Sequence, residues 1–380
     1  MKKVAVLGAG MVGKAIALNL SADHDVKAFD YNLEQLQNAF KSSRVKYARV
    51  DLSSPESIKN VVKPFDVVVG ALPGFLGKMC LKSVIEVGKN IVDIAFFPED
   101  PFELDELAKS LNVTAIVDCG VAPGMSNIFA GYHQAIMKQM LRFECLVGGL
   151  PKVRTWPFEY KAPFSPIDVI EEYTRPARYV ENGCLMVRPA LSDPEFIEFE
   201  SVGTLEAFNT DGLRTLIKTI KCPNMKEKTL RYPGHINFIK ALRDIGFFNT
   251  TPIKIGDADI IPLEFTSKLM FPHWKLKEDE PEFTVMRVII EGINFNDQKE
   301  LITYDLFDSF DPKTQTSSMA RTTGYTCCAA VRLITQGMFN DKGICPPEYI
   351  GRKQNCYEFI LTDLKKYGVA YDKKVLLSHK

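Results

Sequence analysis

Several common features are missing from this 380-residue sequence, and each absence excludes a class of function. Lys and Arg together number 47, as do Asp and Glu, so the composition predicts no strongly basic surface for nucleic acid or an anionic membrane. No run of about 18 apolar residues occurs, so no membrane-spanning helix is predicted. The nine cysteines form no C-x-x-C pair and the five histidines no H-E-x-x-H motif. We therefore predict reduced thiols, no metal, and a cytoplasmic protein without a nucleic-acid or membrane partner.

The N-terminal segment has two interpretations. Met1-Lys2-Lys3 before an apolar stretch resembles the start of a secretory signal. Lys14 interrupts that stretch, however, and three glycines are spaced within it. We therefore interpret the segment as the first strand and helix of the folded protein.

A dinucleotide-binding pattern occupies the first 30 residues. The apolar run Val4–Leu7 suits a strand buried on both faces of a parallel sheet, and it leads directly into Gly8-Ala9-Gly10-Met11-Val12-Gly13. In such a motif the first glycine permits a tight turn, the second leaves room for the pyrophosphate, and the third lets the next helix pack closely. Asp30 ends the second strand twenty residues after Gly10, where an acid binds the adenosine ribose hydroxyls and repels a 2′-phosphate. The spacing therefore predicts NAD rather than NADP.

Alternating strands and helices continue to residue 118 and predict an α/β fold, a doubly wound Rossmann sheet of six parallel strands. The last four strands are predicted at Val45–Leu52, Asp66–Gly70, Asn90–Phe96 and Val113–Asp118. Ser54-Pro55 marks a helix start, since Ser is a preferred cap and Pro a preferred first residue. Loops at the carboxyl ends of the strands should line the ligand. The predicted cofactor-binding residues are Gly8, Ala9, Gly10, Met11, Val12, Gly13, Asp30, Tyr31, Asp51, Ala71, Leu72, Pro73 and Asp93.

The pattern changes after Asp118 and predicts an inserted α+β domain with a mixed, largely antiparallel sheet. Its strands are predicted at 142–147, 178–187, 196–201, 252–255 and 283–290, and its helices at 130–140, 211–219 and 235–243, with Arg231–His235 in a turn. Helices at 322–337 and 356–367 should return to cover the Rossmann sheet. We predict an NAD-binding domain of residues 1–120 plus 322–380 and a substrate-binding and dimerisation domain of residues 121–321. The active site is expected in the cleft between them, and the assembly is expected to be a homodimer.

Longer motifs resemble the saccharopine dehydrogenase-like oxidoreductases over nearly the whole chain. Landmarks of this resemblance include Asp118–Met125 and Thr210–Arg214. Gly148-Gly149-Leu150-Pro151 and Arg321-Thr322-Thr323-Gly324-Tyr325 mark only the wider family. The stretches Glu171–Arg178 and Leu230–His235 favour members that oxidise lysine. The resemblance implies NAD-dependent loss of hydride from the ε-carbon of L-lysine, hydrolysis of the imine to the 6-semialdehyde with release of ammonia, and cyclisation to piperideine-6-carboxylate. The chain departs from the family at Ala122, which replaces a second acid, so no role of that acid is carried over.

Such a reaction needs a base that takes a proton from the ε-ammonium group and then activates water. His235 is the first candidate because it follows a turn in a family-like motif and imidazole titrates near neutrality, although a structural histidine is an equally good interpretation. Asp118 is the second, at the end of the sixth strand, where it could equally organise its loop. Lys161 is the third, if burial lowers its pKa. The other histidines, His24, His133, His273 and His379, have no metal spacing.

The substrate α-carboxylate needs a cation, preferably an arginine that donates two hydrogen bonds. Arg214 and Arg231 are the leading candidates and Arg175 the third, although each could instead pair with a neighbouring acid. Asp211 and Arg214 are three apart on a predicted helix and could pair with each other. Asp211 and Gly149 complete the predicted substrate-binding set.

Two other functions fit the same sequence. A saccharopine or carboxynorspermidine dehydrogenase (reductase) would have the same fold and act on a secondary amine, but it would need more cations for a second carboxylate-bearing arm and would often use NADP. A non-catalytic NAD(H)-binding regulator would need a basic patch or a DNA-reading helix, and the balanced charge and the lack of a helix-turn-helix motif disfavour it.

Overall fold

The computed structural model describes residues 1–277 and 280–378. The chain forms two units, Met1–Ile136 with Met319–Ala370 and Met137–Ser318 with Tyr371–Lys380. Among the described residues, no helix is both long and apolar enough to cross a membrane. His379, one of the histidines considered for metal spacing, lies outside the described residues.

The first half of the first unit alternates strands and helices. Its strands are β1 (Lys3–Leu7), β2 (Asp25–Asp30), β3 (Lys46–Arg49), β4 (Val67–Gly70), β5 (Asn90–Asp93) and β6 (Thr114–Ile116). Its helices are α1 (Met11–Leu20), α2 (Leu33–Phe40), α3 (Pro55–Val62), α4 (Gly74–Glu86), α5 (Asp105–Ser110) and α6 (Met125–Ile136). Ser54 caps α3 as predicted, because its hydroxyl accepts a hydrogen bond from the Ser57 N–H.

The second unit is built around long strands. Its strands are β7 (Gln139–Pro151), β8 (Ala177–Glu181), β9 (Cys184–Arg188), β10 (Glu195–Phe199), β11 (Gly203–Asn209), β12 (Met225–Arg231), β13 (Ile253–Ile255), β14 (Ala258–Ile260), β15 (Glu282–Ile293) and β16 (Lys299–Ser309). Its helices are α7 (Pro166–Thr174), α8 (Leu216–Thr219), α9 (His235–Asp244) and α10 (Pro262–Trp274). The chain then forms α11 (Ser318–Thr335), β17 (Gly343–Cys345), α12 (Pro347–Gly351) and α13 (Gln354–Lys366), and it ends in β18 (Asp372–Ser378).

The sheet of the first unit has the order β17-β6-β5-β4-β1-β2-β3, with every neighbouring pair parallel. The predicted Rossmann fold is thus confirmed. Val4, Val68 and Ile91 are fully buried, as expected for strands covered on both faces. A seventh strand, β17, was not predicted, because three residues before a Pro-Pro pair give too short an apolar run.

The main sheet of the second unit has the order β10-β11-β12-β7-β15-β16-β18, and the β8–β9 hairpin joins it through β12. β12 and β7 are parallel, and the other neighbouring pairs are antiparallel. The prediction of a mixed, largely antiparallel sheet is therefore confirmed. One face packs on a core that contains Leu146, Leu230 and Trp274.

Several local predictions were wrong. The predicted helix 211–219 is reduced to Leu216–Thr219, and Arg214 has a left-handed backbone (φ 51°). Arg231 ends β12 rather than lying in a turn. The domain limits also differ from those predicted, since the first unit extends to Ile136 and β18 pairs with β16 of the second unit.

Candidate functional site

The glycine-rich turn between β1 and α1 is closely packed except at one position. A Cβ atom at Gly13 would collide with the Gly8 carbonyl oxygen, and one at Gly8 would collide with the Ala71 carbonyl oxygen. The loop after β4 therefore contacts the loop after β1. A Cβ atom at Gly10, by contrast, would meet no atom within 4 Å. This open space beside the first turn of α1 fits a phosphate group, which the free N–H groups of a helix N-terminus attract.

Asp30 is fixed at the end of β2 beside this turn. Its Oδ2 accepts a hydrogen bond from the Ala9 N–H (2.8 Å), and its Oδ1 accepts one from the Asn32 N–H (3.0 Å). The residue is only 8% exposed. Each carboxylate oxygen keeps a further lone pair that can accept from a ribose hydroxyl. The turn and Asp30 together fit the diphosphate and ribose of a nicotinamide dinucleotide, which supplies hydride-transfer chemistry when bound.

The other predicted cofactor residues differ in their surroundings. Asp51 is exposed, and its Oδ1 accepts from the Ser53 N–H (2.9 Å). Hydrogen bonds from the Ser53 side chain and then from this N–H lower the pKa of the Asp51 carboxyl group. Asp93 is buried, and its Oδ1 accepts from the Ala95 N–H (2.8 Å). Tyr31 is exposed, and its carbonyl oxygen accepts from Arg49 Nε (3.0 Å). The sequence reasoning missed Arg49, because this cation lies in another strand.

Asp118, the second candidate base, follows β6 in a loop of the first unit. It is 2% exposed and has a left-handed backbone (φ 52°), which is uncommon outside glycine and often marks a functional loop. Its carbonyl oxygen accepts from the Gly120 N–H (3.2 Å). Burial raises the pKa of the adjacent Cys119 thiol, so this cysteine is not an activated nucleophile.

In the second unit, Arg231 lies at the centre of a buried polar cluster. Its Nε donates to Tyr173 Oη (2.9 Å), one terminal nitrogen donates to Glu172 Oε2 (2.6 Å), and the other donates to the Leu230 carbonyl oxygen (2.9 Å). Its guanidinium also lies 4.4 Å from the ring centre of Tyr160. Because protein groups already take these donors, Arg231 is a weaker candidate for the carboxylate anchor than the sequence indicated.

The hydrogen bonds of His235 determine its protonation state. Nδ1 lies 2.9 Å from the Phe158 carbonyl oxygen, which can only accept, so Nδ1 carries a hydrogen. Burial and the nearby Arg231 lower the pKa of His235 to about 3, so the ring is neutral and Nε2 accepts from Tyr173 Oη (3.0 Å). No lone pair is left for a substrate proton. The structure therefore does not support His235 as the base and instead gives it a structural role.

The remaining candidates of this unit lie in different environments. Lys161 Nζ donates to the His273 carbonyl oxygen (2.9 Å), a contact that anchors its loop and does not support a role as base. Arg175 pairs with Glu171 (3.2 Å). Gly149 pairs in register with Thr284 of β15. Arg214 is 6% exposed.

Asp211 and Arg214 do not share a helix, because α8 begins only at Leu216. Asp211 accepts two hydrogen bonds from the guanidinium of Arg178, at 2.7 and 2.9 Å. The loop Thr210–Arg214 that carries it also contacts a buried acid, Glu227, which the sequence reasoning missed. Burial, together with Glu172 and Asp211, raises the pKa of Glu227 to about 8. Glu227 lies on β12 two residues before Thr229 and four before Arg231, so the three side chains share one face of the sheet. This spacing would have indicated a functional Glu227 only if the strand had been predicted from the sequence.

No group of three or more His, Cys, Asp or Glu side chains suited to a metal ion occurs within residues 1–277 and 280–378. The absence of a metal from the reaction stays a prediction.

Comparison with known proteins decides the family. The profile described as the saccharopine dehydrogenase NADP binding domain matches residues 4–116, and that of the saccharopine dehydrogenase C-terminal domain matches residues 120–369. The chain belongs to the saccharopine dehydrogenase family. It is accordingly an oxidoreductase with a nicotinamide-dinucleotide-binding Rossmann domain.

Characterised members of the saccharopine dehydrogenase family are distant in sequence. Carboxyaminopropylagmatine dehydrogenase of Synechocystis is 21% identical, over 90% of this chain and 92% of its own length. The NADP-dependent, L-glutamate-forming saccharopine dehydrogenase of Pyricularia oryzae is 23% identical, over 99% of both chains. The α-aminoadipic semialdehyde synthase of Arabidopsis thaliana is 28% identical over 55% of this chain, which spans only 21% of that longer protein.

Solved structures agree with the family fold. The L-glutamate-forming saccharopine dehydrogenase of Saccharomyces cerevisiae superimposes with a TM-score of 0.79 at 20% identity, covering 99% of this chain and all of the other. The homospermidine synthase of Legionella pneumophila, solved with NAD, has a TM-score of 0.62 at 12% identity, covering 99% and 91%. At these identities the likeness establishes the fold alone.

Proposed function

We propose that this protein catalyses the NAD-dependent oxidative deamination of the ε-amine of L-lysine. The ε-carbon loses hydride, water adds to the resulting imine, and the products are the 6-semialdehyde, which cyclises, ammonia and reduced cofactor. The observation that carries the proposal is the charge balance of the buried cluster in the second unit, which favours a substrate with an amine and few carboxylates.

Two arginines of this cluster are already paired with two of its acids. Arg231 is bound to Glu172, and Arg178 is bound to Asp211. Glu227 adds a buried carboxyl group whose hydrogen-bond donor is a threonine hydroxyl. A cationic amine beside Glu227 would stabilise the carboxylate form of this residue, whereas each carboxylate of a substrate needs a cation of its own. Saccharopine has three carboxylates and lysine has one, so the cluster favours lysine.

The preference for NAD rests on Asp30. Its carboxylate is held rigidly by two backbone N–H groups and would repel the 2′-phosphate of NADP. Arg49 supplies a nearby cation that works in the opposite direction. We propose that Asp30 dominates, because it is buried and fixed while Arg49 lies at the solvent-exposed end of β3.

A carboxylated polyamine is the second candidate substrate. It also combines several amines with one carboxylate, and the Synechocystis relative that matches nearly end to end is named for such a compound. The cluster favours such a polyamine over saccharopine, because the polyamine has one carboxylate and saccharopine has three.

The test is to incubate the purified full-length protein with NAD or NADP and each of L-lysine, saccharopine and carboxynorspermidine, measuring reduced cofactor and free ammonia. We expect reduced cofactor and equal ammonia with lysine and NAD. Turnover of a secondary amine without ammonia would contradict the proposal and assign the protein to the reductases. Binding of NAD without turnover of any amine would instead support a regulator. The Asp30→Ser variant should lose its preference for NAD, and Arg49→Ser, the matched control, should not.

A further inference from the structure

Glu227 and two threonines form a hydrogen-bonded chain in the second unit. Glu227 and Thr229 are two residues apart on β12, so their side chains point to the same face of the sheet. The Thr210 hydroxyl donates to Glu227 Oε2 and lies 2.9 Å from the Thr229 hydroxyl. All three residues are buried. A carboxyl group held by these hydroxyls has a fixed orientation and can exist with or without a proton.

The loop after Thr210 closes over this carboxyl group. A Cβ atom at Gly212 would collide with the carboxyl carbon and Oε2 of Glu227, so a larger residue here would displace this carboxyl group. The Gly212 N–H also donates to the carboxyl group. Arg214 lies two residues further along the same loop. The loop that packs on the Glu227 carboxyl group therefore also carries a candidate carboxylate anchor.

The charged groups around Glu227 favour its protonated form. Glu172 faces it from α7 and Asp211 from the loop, and both raise its pKa, whereas Arg178 and Arg231 are engaged with those same two acids. Cys145 is its register partner on β7. Burial is the largest cause of the shift of its pKa to about 8. A carboxylate with this pKa is a much stronger base than an exposed one, and it exchanges protons near physiological pH.

We propose that Glu227 is the general base that accepts the proton of the substrate ammonium group, with the Thr210 hydroxyl holding its carboxylate in place. In this step the N–H bond of R–CH2–NH3⁺ breaks, its electron pair stays on nitrogen, and the proton bonds to the Glu227 carboxylate. The neutral amine can then lose hydride from its carbon. This inference rests on the proposed amine oxidation, and it replaces His235 in the role of base.

The test compares the pH dependence of kcat/KM for amine oxidation in the wild-type protein, Glu227→Gln and Glu227→Asp. Wild-type kcat/KM should rise tenfold per pH unit below about pH 8 and level off above it, because only the carboxylate accepts a proton. Glu227→Gln should be slower by about 100-fold or more on the plateau and lose this rise, and Glu227→Asp should recover part of both. Glu144→Gln is the matched control. Glu144 is equally buried in the same sheet but pairs with Arg142, so its loss should leave the pH profile unchanged.

Two outcomes would overturn the inference: a pH rise that persists in Glu227→Gln, or a plateau rate within a few-fold of wild type. If lysine is silent but another amine of the panel is oxidised, the proposed substrate fails and Glu227 is tested on that amine. If no amine reacts, the proposed function fails, and an infrared titration decides whether Glu227 holds a proton. A carboxylic-acid carbonyl band that disappears near pH 8 in wild type and is missing in Glu227→Gln shows that Glu227 holds this proton. The lack of such a band in wild type refutes a protonated Glu227 and with it the inference.

Discussion

The neutral, buried state of His235 predicts a specific loss of stability in acid. Its pKa is about 3 in the folded protein and 6.5 as a free side chain, so between these values the unfolded chain binds a proton that the folded protein does not. The stabilisation is therefore complete above pH 6.5 and is lost as the pH falls towards 3. From the linkage relation, the titration of His235 alone should lower the free energy of unfolding by about 2 kcal/mol between pH 7.5 and pH 5.

The His235→Gln variant removes this titration while keeping a donor for Phe158 and an acceptor for Tyr173. Urea unfolding at pH 7.5 and pH 5 can be followed by the fluorescence of Trp274, which is fully buried beside this cluster. We expect the variant to be less stable than wild type at pH 7.5 and to lose about 2 kcal/mol less on acidification. His273→Gln alters an exposed histidine of the same unit and controls for the substitution. If wild type and His235→Gln lose the same free energy of unfolding between pH 7.5 and pH 5, the interpretation of His235 as a neutral buried histidine is refuted.

Two further predictions concern the packing of each unit. Gly10→Ala should leave the melting temperature unchanged but weaken binding of NADH in a fluorescence titration. Gly13→Ala should lower the melting temperature, because its Cβ atom would meet the Gly8 carbonyl oxygen. Equal effects of the two variants on the melting temperature would contradict this packing. Tyr173→Phe removes the hydroxyl that links Arg231 to His235, and it should destabilise the second unit by about 1–3 kcal/mol in the same urea assay. A Tyr173→Phe protein as stable as wild type would show that the linkage contributes little.

The Rossmann unit could be predicted because its signals are local. A glycine turn, an acid at the end of β2 and buried apolar runs each act within a few residues, and all were found at the expected places. The three-residue strand β17 was missed because it is held by its pairing with β6, which lies far away in the sequence. Asp30 was identified from spacing alone, whereas Arg49 approaches Tyr31 only after β2 and β3 have paired.

The second unit was less predictable because charged side chains interrupt its buried strands. β12 reads Met-Lys-Glu-Lys-Thr-Leu-Arg, a sequence with little strand character that lies between β11 and β7 in the sheet. Its charges are neutralised by residues from elsewhere, such as Glu195 for Lys228 and Glu172 for Arg231. Without those partners in view, Arg231 was assigned to a turn and Glu227 was overlooked. Tertiary pairing, rather than local propensity, determines this strand.

The path of the chain also has a consequence for biosynthesis. Both units are assembled from two separate stretches, and the last strand, β18, completes the edge of a sheet whose other strands were made at least 60 residues earlier. Until β18 has left the ribosome, β16 presents an unpaired edge that could join another nascent chain. The main sheet of the second unit therefore cannot be completed before β18 has been made.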